Sequence, residues 1–63
     1  MMNVGDFVVI LAPFGDETTP HEITAVQAIN AAGEIATEGQ PVDFYQYEIQ
    51  GTYYAEQYVR AAE

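Results

Sequence analysis

Five consecutive apolar residues, Phe7-Val8-Val9-Ile10-Leu11, constrain this chain more than any other feature. The run is rich in branched and aromatic side chains. It is entered from Val4-Gly5-Asp6 and closed by Pro13, which predicts a buried strand. A second strand is legible at Phe44 to Gln50, where Tyr45, Tyr47 and Ile49 alternate with Gln46, Glu48 and Gln50. That period of two gives one apolar face and one polar face. Between the two runs, Phe14-Gly15-Asp16-Glu17-Thr18-Thr19-Pro20 reads as a loop carrying one hydrophobic plug, Phe14.

The segment from Thr19 to Gly33 fits two templates. Thr19-Pro20-His21-Glu22 has the form of a capping box with proline at the first helical position. The apolar stripe of that helix, Ile23, Val26 and Ile29, is interrupted by Gln27 and Asn30. A strand over the same residues alternates only if a bulge shifts its register. The following Asn30-Ala31-Ala32-Gly33 has the residues of a type I turn with a bulge, and Glu34 to Glu38 then reads as the second strand of a hairpin. Turn chemistry therefore favours strands. Gly39-Gln40-Pro41 breaks the chain, and after Gly51 the stretch Thr52 to Tyr58 reads as a helical turn before a last strand around Val59-Arg60-Ala61. A terminal helix through Tyr54, Tyr58 and Ala62 competes with that ending. The expected architecture is one all-β domain over residues 1–63, with an α+β alternative containing a helix over residues 20–32.

A chain this short hides only about 60% of the surface its unfolded form exposes, and it has no cysteine to staple a thin core. With 49% apolar residues, including five tyrosines and three phenylalanines, it still buries enough to fold. Ten carboxylates stand against one arginine, Arg60, and no lysine, for a net charge of −9. Such a surface repels phosphate backbones and anionic membranes, so direct nucleic-acid binding is not expected and any charged partner should be basic. No apolar run approaches the roughly 20 residues of a membrane span, and the start has no signal-peptide pattern. The expected compartment is the cytoplasm.

Residues for covalent chemistry are scarce. Cysteine and serine are absent, and the one histidine, His21, reads as a partly exposed loop or cap residue. Asp16 and Glu17 are adjacent acids in a loop, without a fixed separation for acid–base work. Together with His21 they lack the ligand spacing of a calcium or zinc site. The glycines are scattered singly, so no phosphate cradle is formed. No catalytic residue, metal or cofactor is expected. Tyr45 and Tyr47 read as core or cross-strand partners. By contrast, three tyrosines at Tyr53, Tyr54 and Tyr58 exceed what one face of a short turn can bury, and exposed tyrosine is a common interface anchor.

Val4-Gly5-Asp6-Phe7-Val8-Val9-Ile10 resembles the opening of small Src-homology-3-like barrels, the class that includes Tudor and KOW-type modules. Leu11-Ala12-Pro13-Phe14 is similar to a continuation found in small uncharacterised bacterial and phage barrels. Tyr47-Glu48-Ile49-Gln50-Gly51, followed by Tyr53-Tyr54 and Tyr58-Val59, is similar to the penultimate strand, helical turn and closing strand of that fold. The resemblance implies a five-stranded antiparallel barrel with a short helical turn before the last strand. It also implies that Tyr53, Tyr54 and Tyr58, beside the loop acids Asp16 and Glu17, approximate a peptide-binding surface. The chain departs from the RNA-binding KOW type in having a single basic residue.

Two functional readings follow. In the first, the domain is a non-enzymatic interaction module presenting tyrosines and acids to a basic or proline-containing segment of another protein. In the second, it imitates nucleic acid and inhibits a basic nuclease of the CRISPR or restriction type. On a strand, Glu34 and Glu38 would share a face at roughly 13 Å, with Glu48 on a neighbouring strand. A structural subunit of a phage particle is a third reading of the same features, and the oligomeric state is left open.

Overall fold

The computed structural model describes residues 1–62. They form two antiparallel sheets of three strands each, and the helical structure among them is a single 3₁₀ turn. The strands are β1 (Phe7–Ile10), β2 (His21–Glu22), β3 (Ala25–Ile29), β4 (Phe44–Ile49), β5 (Thr52–Ala55) and β6 (Val59–Ala61), with the 3₁₀ turn Glu56–Tyr58 between the last two. The first sheet has the order β2-β1-β6 and the second β3-β4-β5. No helix among the described residues is long and apolar enough to cross a membrane.

The apolar run forms the centre of the first sheet, where Val8 lies between His21 of β2 and Ala61 of β6. Val8, Val9 and Ile10 are all buried, so both faces of this strand are covered, as its continuous apolar run predicts. In β4 the alternation places Tyr47 and Ile49 in the core with Val8, Ile10, Ile23 and Val59, and Tyr45 packs against the same cluster. Burying one such side chain fully contributes about 1.5–3 kcal/mol relative to leaving it exposed. The Tyr47 hydroxyl accepts the Met2 N–H at 3.1 Å, so this buried phenol is satisfied.

No helix forms over 20–32: the segment carries β2 and β3, joined through Ile23-Thr24, and ends in a turn from Asn30. Thr19 does not cap a helix, because its hydroxyl and its N–H both donate to Asp16. Ile23 exchanges backbone bonds with the start of the first sheet: its N–H donates to the Asp6 carbonyl and its carbonyl accepts the Gly5 N–H, both at 2.9 Å. The next residue, Thr24, donates to the Glu48 carbonyl of the second sheet at 2.9 Å. The chain thus passes from one sheet to the other at Ile23-Thr24. That crossing lets Ile23 and Val26 both meet the core, which produced the helix-like spacing in the sequence.

Two further expectations are corrected. Asn30 starts the expected turn, with its side-chain oxygen accepting the Ala32 and Glu34 N–H groups and Gly33 at φ +81°. The strand over Glu34–Glu38 does not follow. Only an isolated bridge, Ile29 to Ile35, forms there, and Ile35, the segment's one large apolar side chain, stays 59% exposed, so the segment has no apolar face held against the core. The chain then turns at Thr37, whose N–H donates to the Gln40 side chain. At the other end, Thr52 to Ala55 is strand and only Glu56–Tyr58 is helical. Gln50 and Gly51 take positive φ angles of 52° and 82°. This is the two-residue type I′ geometry that joins antiparallel strands, and it sets Thr52 opposite Ile49. The competing terminal helix through Tyr54, Tyr58 and Ala62 is likewise absent, since β6 pairs with β1.

Candidate functional site

The site begins with the loop over residues 11–20. It is clamped at its base, where the Leu11 N–H donates to the Tyr58 carbonyl at 2.8 Å and the Glu17 N–H to the Ile10 carbonyl at 3.0 Å. Gly15 passes directly against β1: a Cβ on it would lie 2.5 Å from the Ile10 Cβ and 2.8 Å from Cγ2. Only glycine permits that approach. The bond from Ala12 to Pro13 is cis. The loop so shaped carries Phe14 across to the 3₁₀ turn.

There Phe14 meets Tyr58 edge to face, with ring centroids 4.8 Å apart, and Tyr54 with centroids 6.4 Å apart. These are the offset arrangements that aromatic quadrupoles favour. The three rings, with Thr52, Tyr53 and Ala55, line an open hollow of about 220 Å³. Phe14 keeps 57% of its surface exposed and Tyr53 38%, which leaves aromatic area for contact. A second, larger and more polar hollow of about 460 Å³ is lined by Asp43, Phe44, Ala55, Glu56 and Gln57. Ala55 belongs to both. The Glu56 carboxylate is fixed at that junction by accepting the Tyr45 N–H at 2.9 Å.

Of the residues read from the sequence, Tyr53, Tyr54 and Tyr58 converge on one place. The loop acids are spent on the loop itself. Asp16 accepts the Thr18 and Thr19 N–H groups at 2.9 Å and the Thr19 hydroxyl at 2.6 Å. The Thr19 hydroxyl first, then the two backbone donors, hold its carboxyl well below the usual aspartate range. Glu17, at φ +66°, accepts the Ala12 N–H at 3.0 Å and offers its carbonyl to Arg60 at 3.4 Å. Both acids therefore shape the loop that presents Phe14. Glu48 accepts the Thr24 hydroxyl at 2.8 Å and supports the sheet crossing. Glu34 and Glu38 do not share a strand, so the expected spacing of carboxylates along one face is absent. His21, expected in a loop or cap, is half-buried on β2 opposite Val8.

Phe14 is the site residue that sequence reading missed as a partner of the tyrosines. Its exposed aromatic ring in a loop dense in Gly, Pro and acids was the available signal. Among the described residues no group of three or more His, Asp or Glu side chains is placed to hold a metal ion. The arrangement suits contact, with aromatic faces beside fixed carboxylates. Comparison with protein families, with characterised proteins and with solved structures finds no match to this chain.

Proposed function

We propose that this domain is a non-enzymatic interaction module that seats a basic segment of another protein, carrying an apolar or proline residue, in the aromatic hollow. The observation that carries this reading is the convergence of Phe14, from the first long loop, with Tyr54 and Tyr58, from β5 and the 3₁₀ turn that follows it, around an open hollow of about 220 Å³. Aromatic side chains offer large contact area at low entropy cost and recur as interface anchors. The net charge of −9 selects a basic partner and speeds its encounter. The carboxylates of Asp43 and Glu56 in the adjoining hollow act in the same direction.

The same reading takes the two sheets as a small barrel of the Src-homology-3-like type. Its support is the sheet orders β2-β1-β6 and β3-β4-β5, the crossing at Ile23-Thr24 and the 3₁₀ turn before β6. A peptide array of basic sequences with and without proline, probed with the native domain and with Phe14→Ala, tests the function. Binding that is lost in Phe14→Ala and weakens with added salt is expected. Equal binding by both proteins to every spot would overturn the assignment.

A further inference from the structure

The geometry points to strand addition along β5 as the way the segment is held, an inference that rests on the interaction reading above and specifies its mode. The hollow is lined by four consecutive residues, Thr52 to Ala55. Side chains of a strand alternate between faces, so what these four share is the strand's outer edge. β5 is the last strand of its sheet. In a hairpin closed by a two-residue turn, the pair flanking the turn, here Ile49 and Thr52, exchanges hydrogen bonds. The next pair, Glu48 and Tyr53, is then non-bonded, which turns the N–H and C=O of Tyr53 away from β4 and toward the hollow.

This edge is short but lacks the chemical guards. β5 reads Thr-Tyr-Tyr-Ala, without lysine, proline or an inward charge. The opposite edge of the sheet, on β3, is by contrast bridged by Ile35. The occupant is an extended basic segment of a different protein. A second copy of the chain would bring another net charge of −9 to the same place, whereas a lysine or arginine running past Ala55 reaches Asp43 and Glu56. Phe14 and Tyr58 then wall the added strand and take its apolar side chains. Main-chain bonds supply affinity in this mode and the pockets supply selectivity.

The test uses an acetylated, amidated heptapeptide of alternating lysine and valine, with a proline-rich heptapeptide of equal charge for comparison. The alternating peptide should bind the native domain more tightly than the proline-rich one and should slow hydrogen exchange at the Tyr53 amide. Tyr53→Pro removes the outward donor at an edge position where proline is tolerated, and should weaken binding about tenfold, the scale of one lost hydrogen bond. Tyr53→Ala keeps the donor and should bind more tightly than Tyr53→Pro. Equal loss in the two variants, or an unprotected Tyr53 amide in the native complex, overturns strand addition. If Phe14→Ala still abolishes that binding, the hollow remains the site. Absence of binding by either peptide overturns both readings. Slowed Tyr53 exchange in a dimer of the chain alone assigns the edge to a second copy and overturns the proposed occupant.

Discussion

Phe14 stands edge-on to Tyr58 with ring centroids 4.8 Å apart, so the first long loop and the 3₁₀ turn before the last strand form one surface. Each is placed by a different device. Main-chain bonds and the tight passage at Gly15 place the first, and pairing of β6 with β1 places the second.

Because Phe14 is more than half exposed, its role in stability is small. Phe14→Ala should lower unfolding free energy by about 0.5–1.5 kcal/mol, the scale of aromatic pair contacts, while removing peptide binding. Urea titration of the variant beside a binding assay checks the separation. A loss of stability above about 3 kcal/mol, the scale of a core aromatic truncation, would instead make Phe14 a core residue.

Gly15 and Gly33 should respond differently to alanine. At Gly15 the new methyl collides with Ile10 of the buried strand, and overpacking of that kind costs about 1–3 kcal/mol. At Gly33 the space is open but φ is +81°, and the backbone penalty is about 1 kcal/mol. Chemical denaturation of the two variants should rank Gly15→Ala as the more damaging.

Asp16 links the loop to pH. Its folded-state pKa is depressed by the Thr19 and Thr18 donors, so on acidification the unfolded chain takes up this proton first. The stabilising contribution is therefore complete above the ordinary aspartate value of about 3.9, and is lost as pH falls below it toward the folded value. The gap in melting temperature between the native domain and Asp16→Asn should be widest above about pH 5 and should narrow toward about pH 2.5. A gap that stays constant across this range would remove Asp16 from the linkage.

Salt should stabilise the domain. Net charge of −9 on a chain of 63 residues makes self-repulsion a general cost. Raising ionic strength from about 10 mM to about 150 mM shortens the screening length from roughly 30 Å to 8 Å. The melting temperature should rise across that interval. A flat profile would show that the carboxylates are compensated locally.

Strands with strong local patterns were legible in the sequence: the apolar run locates β1 and the alternation of β4 places Tyr47 and Ile49 inside, although Phe7 is exposed and Leu11 lies past the end of β1. The middle of the chain was not, because Ile23 and Val26 face one core from two sheets, and only tertiary pairing separates that from a helical stripe. β5 was hidden by its turn. Gln50-Gly51 is a weaker hairpin signal than Asn-Gly, and the tyrosines beyond it suit either state. For the site, the tyrosines were readable from their crowding, whereas Phe14 is brought to them by a loop path no local pattern encodes. The acids misled for a related reason. Sequence shows that Asp16 and Glu17 are charged, but not that backbone donors occupy them.

The passage of the chain from one sheet to the other at Ile23-Thr24 has a mechanical consequence. Neither sheet owns a complete set of walls, so prising β3 from β4 also pulls the strand segment that flanks β1. Heat, denaturant or a pulling force should find no half-open resting point, and the whole molecule should let go at once.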